Sequence, residues 1–250
     1  MRVAFIGKGG SGKSTMAGTV ARLLARGGER VLALDMDTLP GLAFSLGLGK
    51  VGDLGLPADL AERREKQGWV LREPITPAET LVERHALDAP DRIRFLQLGK
   101  LPGNVKPAAS VAFRHVMDTF RLPGWSIVGD LAAGTRQGFA GWARFASVAV
   151  IVVEPTSAAL LSAKRLRGLG EALPGVRIGL AINKVRDTES ADRVAAELQL
   201  PVWARVPYDS DLAHAERSGL APIDAAPDSR AVASIGKLLE RLRQQEEQSA

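Results

Sequence analysis

The chain has 250 residues, 46% hydrophobic and 5% aromatic, with a formal net charge of +5. That is enough apolar material for one large α/β domain packed chiefly by aliphatic side chains. It has no cysteine and three histidines, which excludes disulfides, thiolate-held metal, iron–sulfur clusters and a cysteine nucleophile and leaves little for a zinc site. A pI near 9.8 permits an anionic partner without specifying one, and no apolar run approaches a membrane span.

The first predicted element is a strand over 2–6. It runs into Gly7-Lys8-Gly9-Gly10-Ser11-Gly12-Lys13-Ser14-Thr15 and a helical pattern over 13–26 that stops at Gly27-Gly28. The start reads as a strand with no signal-peptide pattern, so a cytoplasmic protein is expected. Strand, glycine-rich turn and helix are the context in which such a run holds phosphate. Glycines let several N–H groups converge, and the helix adds the positive end of its dipole. Lys13 is then placed for the β- and γ-phosphates and Ser14 for Mg²⁺. A rival stands beside this reading. Gly7, Gly9 and Gly12 also satisfy the dinucleotide fingerprint G-x-G-x-x-G, with Asp35 at the distance of a ribose-binding acid. The pair Lys13-Ser14 favours the triphosphate, because a dinucleotide turn needs neither residue.

A second strand is predicted over 30–35, an apolar run buried on both faces, ending in Asp35-Met36-Asp37. From 38 to 121 the pattern loosens into a less regular segment, read as partner-facing. Leu39-Pro40-Gly41 breaks the chain, 62–66 reads as a solvated helix face, and Thr76-Pro77-Ala78-Glu79 reads as a helix start with proline at its first position. A strand over 92–98 and a helix over 108–120 follow. Beyond these come strands over 125–128, 147–153, 177–182 and 202–206. Helices are predicted over 156–169, 190–198, 209–217 and 229–245. Alternation of this kind implies one doubly wound, mostly parallel sheet with helices on both faces, a single domain over 1–250.

Several strand ends carry chemistry. Asp130-Leu131-Ala132-Ala133-Gly134 places an acid where it can stand behind Mg²⁺ and a glycine where it can sense the γ-phosphate. Of Asp35 and Asp37, one is suited to orienting the attacking water and the other to the metal. Asn183 offers an amide for the adenine edge. Lys8 is unusual: a second cation in the loop neutralises a transferring phosphate as an arginine finger does, in its own site or in a neighbouring subunit's.

These residues together resemble the MinD/ParA/nitrogenase-iron-protein group of P-loop ATPases, whose hallmark is a lysine at the Lys8 position. Asp35-Met36-Asp37 is similar to the group's first switch and 130–134 to its second. Ile182-Asn183-Lys184 is similar to the adenine-binding strand end, and Val206-Pro207-Tyr208-Asp209 to the loop over the base. Within the group, Arg94-Phe95-Leu96-Gln97-Leu98-Gly99-Lys100, Ala132-Ala133-Gly134 and Val153-Glu154-Pro155 resemble the CooC-type ATPases of metalloenzyme maturation. That subfamily's paired cysteine motif is missing, with Lys106-Pro107-Ala108 standing in the stretch from Asn104 where it would fall, and Gly41-Leu42 replaces the group's asparagine after the first switch.

The resemblance implies an ATP-dependent, nucleotide-sandwiched homodimer that binds ATP/ADP and Mg²⁺. The loop residues Gly7, Gly9, Gly10, Ser11, Gly12, Lys13, Ser14 and Thr15 would hold the phosphates, with Thr15 on the α-phosphate and Lys8 crossing to the partner. Asp37 would position water, Ser14, Asp35 and Asp130 would serve the metal, and Asn183, Pro207 and Asp209 would frame the base. Asp37, Asp130 and Gly134 would switch. An unidentified protein client is the expected target. The alternative is a ParA/MinD-like positioning ATPase that binds DNA non-specifically, through arginines such as Arg165, Arg167, Arg241 and Arg243, or a membrane-associated partner. Membrane binding is not expected, because 241–250 has no bulky apolar residue beyond Leu242.

Overall fold

The computed structural model describes residues 1–37, 41–52, 55–73, 76–99 and 106–248. Its main sheet is built on β1 (Arg2–Gly7), flanked by β7 (Trp125–Asp130) and β8 (Val148–Val153). Outward from β7 come β2 (Arg30–Asp35), β6 (Ile93–Gln97) and β5 (Leu87–Ala89); outward from β8 come β9 (Arg177–Val185) and β10 (Val202–Pro207). Every pairing is parallel except β5 with β6. The apolar runs explain the centre: all six residues of β8 are buried, as a strand covered on both faces requires.

Alternation along β1 assigns the two cores. Val3 and Phe5 join one apolar cluster with α1 (Lys13–Arg26), α2 (Leu42–Leu46) and α10 (Arg230–Glu247); Ala4 and Ile6 join the other. That second cluster holds α3 (Ala78–His85), α4 (Lys106–Thr119), α5 (Ser157–Leu166), α6 (Leu169–Ala172) and α7 (Thr188–Leu198). In α10, Ala231, Ile235, Leu238 and Leu242 recur at helical spacing and are fully buried, and Ser229 caps Val232 N–H at 3.0 Å. Each buried leucine contributes about 1.5–3 kcal/mol. The short α8 (Ser210–Arg217) and α9 (Pro222–Ala225) complete this side.

The structure corrects several local readings. Residues 62–66 are not a helix face: β3 (Ala61–Arg64) and β4 (Gly68–Leu71) form an antiparallel hairpin. The turn closes through Gln67 N–H to Arg64 O, and Gly68 takes a φ of 74°, a conformation open to glycine. Charged residues suit an exposed ribbon as well as a helix, so charge alone misled. The helix expected over 156–169 ends at Leu166, and α6 starts after Gly168. Pro77 caps α3 rather than occupying its first turn. Within 38–121, β5 and β6 extend the main sheet. Leu39, Pro40, Lys100 and Asn104 lie outside the described residues.

Candidate functional site

The glycine-rich loop leaves β1 at the sheet's carboxyl edge, where open α/β sheets bind ligands. Gly12 sits at φ 91° and opens α1 without a side-chain cap, so first-turn N–H groups remain available to an anion. A Cβ at Gly12 would lie 2.1 Å from Asn183 Nδ2; only glycine fits. Asn183, buried at the end of β9, donates that Nδ2 to Ser11 O at 2.8 Å. Beside it, Lys184 takes a φ of 55° and spans from Glu154 Oε1 (2.6 Å) to Gly10 O (2.8 Å). The loop is thus tied from β9. Lys13 is buried and its Nζ lies 3.4 Å from Lys8 O, whereas the Lys8 side chain is exposed.

Acids gather beneath the loop. Asp35 and Asp130 are register partners on β2 and β7, and both are buried. Asp35 accepts from Asp37 N–H and Leu42 N–H, each at 3.0 Å, so it holds both of these backbone positions. Asp130 Oδ2 accepts from Ser14 Oγ at 2.5 Å, while its Oδ1 is buried without a partner among the described residues. An orphaned carboxylate oxygen beside a hydroxyl suits a hard cation. No group of three or more metal-ligating side chains is assembled among the described residues, so a cation here needs further oxygens from a bound nucleotide.

Burial, followed by the charge of Asp130, pushes the Asp35 carboxyl up to about 7. Burial likewise raises Asp130 to about 6, against the lowering effect of Lys13 and Ser14. Both groups hold protons more tightly folded than unfolded. The stability these two groups contribute is therefore greatest below the ordinary value of 3.8 and falls as pH rises to about 7. The nucleotide-free protein is expected to gain melting temperature when buffer moves from about pH 7.5 to about pH 6. Asp130→Asn should raise stability at the higher pH by about 1–3 kcal/mol and flatten that slope. An equal slope in the variant, read by thermal denaturation, would refute this coupling.

The residues that follow β2 and β7 touch. Gly134 N–H donates to Gly7 O at 2.9 Å, and Ala133 N–H to Asp37 Oδ2 at 3.3 Å. Gln137, which the motif reading missed, bridges them: its Oε1 accepts from Ala132 N–H (2.8 Å) and its Nε2 donates to Met36 O (2.9 Å). No local pattern marks a glutamine for that task. At the neighbouring strand end, Pro207 closes β10, Tyr208 lies under the Arg186 guanidinium at 3.8 Å, and Asp209 caps α8 through Asp211 and Leu212 N–H. Of the four arginines considered for DNA, Arg243 pairs with Glu29 and Arg241 bonds Gln244. Arg165 and Arg167 are exposed.

Residues 3–223 match the CobQ/CobB/MinD/ParA nucleotide binding domain. The chain belongs to this family. As a MinD/ParA-family ATPase it is an ATP-binding P-loop NTPase, which removes the dinucleotide reading of the same glycines. An uncharacterised ATP-binding protein of Methanocaldococcus jannaschii is 29% identical over 252 residues, 95% of this chain and 96% of its own. The carbon monoxide dehydrogenase accessory protein CooC of Rhodospirillum rubrum is 28% identical, with 97% of each chain covered. In fold, the chain is similar to the septum site-determining protein MinD of Pyrococcus horikoshii complexed with Mg-ADP, with a TM-score of 0.74 at 19% identity, over 100% of this chain and 98% of that one. Among the described residues, no helix of this MinD/ParA-family chain is long and apolar enough to cross a membrane.

Proposed function

We propose that the chain hydrolyses ATP as a nucleotide-sandwiched homodimer and uses the cycle to act on a protein client. The observation that carries this reading is the contrast between the two loop lysines. Lys13 is folded into its own loop, and Lys8 is turned outward with no ion pair among the described residues. Lys13, Thr15 and the N–H groups opening α1 would hold the phosphates. Asn183, Pro207 and Asp209 stand at the strand ends where the base would lie.

Ser14 and Asp130 would hold Mg²⁺, which would neutralise phosphate charge when bound. Asp35, committed to two backbone N–H groups, would position the first switch. Asp37 would orient water for attack. Gly134, bonded to Gly7 O, would report the γ-phosphate by exchanging that partner. A client role draws support from the similarity to CooC, an accessory protein. DNA binding draws less, because Arg243 is neutralised by Glu29.

Phosphate release and light scattering test the proposal together. The chain should be a monomer with ADP and a dimer with a non-hydrolysable ATP analogue. Turnover per chain should rise with protein concentration. A monomer under both conditions, with turnover independent of concentration, would overturn the sandwich.

A further inference from the structure

One contact at the nucleotide loop belongs to none of the roles above. The Thr15 hydroxyl donates to the Glu216 carboxylate, across 201 positions of sequence. Thr15 is 6% exposed on the first turn of α1, while Glu216 lies on the exposed side of α8, one residue before its end. A threonine hydroxyl has a single proton to donate. It can serve the carboxylate or an incoming phosphate, and two anions cannot share it at close range without repulsion.

We infer that Glu216 is a built-in anionic competitor for the nucleotide's α-phosphate, latching α8 onto the phosphate loop while the site is free of nucleotide. The inference rests on the phosphate-loop reading above and adds a regulator to it. The latch has somewhere to send its signal. Just beyond α8, Gly219 packs so closely on Phe44 of α2 that a Cβ there would meet the ring at 3.1 Å. Phe44 lies on the helix that follows Asp35-Met36-Asp37, and it is 37% exposed. α8 therefore connects the α-phosphate position to α2 without passing through the γ-phosphate. Release of Glu216 would register any adenine nucleotide, ADP included, whereas Gly134 would distinguish ATP.

The test uses the full chain and ADP, read by calorimetry and by amide hydrogen exchange. Glu216→Gln should tighten ADP about five- to tenfold, the low end of ordinary coupling between sites. In a Thr15→Val background, the same substitution should change affinity by less than about twofold, because the contested hydroxyl is gone. Exchange at 212–217 should rise when ADP is added to the wild type, and should already be raised in nucleotide-free Glu216→Ala, which leaves the Thr15 hydroxyl no acceptor at this position. Unchanged ADP affinity in Glu216→Gln overturns the latch, as does an equal gain in the Thr15→Val background, which would mean a general field effect. Exchange at α8 that ignores ADP overturns it too. Lys13→Ala separates the two levels: if it binds ADP like the wild type, the phosphate-loop reading itself fails. If Lys13→Ala loses ADP and Glu216→Gln gains nothing, only the latch fails.

Discussion

Replacing Lys8 by alanine is expected to abolish ATP-dependent dimerisation and to lower ATP turnover by about 100-fold or more, while ADP affinity of the monomer changes by less than about threefold. The geometry supplies the reason. The Lys8 carbonyl is turned into the loop, where it accepts from Ser11 N–H at 3.2 Å and lies 3.4 Å from Lys13 Nζ. Its side chain is consequently on the outer surface, and Gly9 and Gly10, also exposed, place nothing bulky between it and a second subunit. In a sandwich, two triphosphates approach one another, and that repulsion must be offset by cations reaching across. An arginine finger supplied in trans is worth 10³–10⁵ in rate, so a threshold of about 100-fold is a modest demand. Lys13 cannot substitute, because it is buried in its own loop. Light scattering with a non-hydrolysable ATP analogue reads the dimer, and phosphate release reads turnover. A Lys8→Ala protein that still dimerises with ATP would exclude the sandwich.

What was legible in the sequence was local. The loop 7–15 carries its meaning in consecutive residues, and the runs 30–35 and 147–153 announce strands covered on both faces because nothing polar interrupts them. Carboxyl-end residues such as Asp35, Asp130 and Asn183 could be found because a strand's end is visible once the strand is. What was not legible depends on pairs brought together by folding. Gln137 bridges to Met36 across 101 positions, and Glu216 meets Thr15 across 201; neither residue has a local environment that sets it apart. Asp35 looked like a metal-side acid. Only the structure shows its two oxygens committed to Asp37 and Leu42 N–H. The hairpin at 61–71 failed for another reason: its charges fit a solvated helix and an exposed ribbon equally, and packing under α4 decided between them.

Arg22→Met is expected to destabilise the protein by about 2–4 kcal/mol and lower its melting temperature by about 5–12 °C. Helical periodicity places Arg22 among the buried positions of α1, between Ala21 and Leu24, and its side chain is 3% exposed. It is held by three segments at once. Nε pairs with Asp91 Oδ2 at 2.5 Å, Nη1 reaches Leu46 O (2.7 Å) and Asp224 Oδ2 (2.9 Å), and Nη2 reaches Asp224 Oδ1 (3.0 Å). Asp91 and Arg92 adopt φ of 59° and 60°, strained for non-glycine residues, and this anchor is one of the contacts holding that turn.

Losing one member of a buried cluster typically costs 3–5 kcal/mol, since the remaining groups are left unpaired. The discount here follows from Arg26, which contacts both acids from the surface, and from the partial exposure of Asp91 and Asp224. Burial alone would raise the Asp91 carboxyl, but Arg22 and Arg26 hold it below its ordinary range. That contribution is therefore present at neutral pH and fades as pH falls through the folded value, so the variant's deficit should shrink in acid. Arg22→Lys keeps the charge but cannot serve Asp91, Asp224 and Leu46 together, because an ammonium lacks the planar fork; its loss should be intermediate. A melting temperature in Arg22→Met within about 1 °C of wild type at neutral pH would show that Arg26 alone sustains the cluster. The position lies nine residues beyond Lys13 on the same helix. ADP affinity of the folded variant should hence stay close to wild type, which separates the helix's anchoring end from its phosphate-binding end.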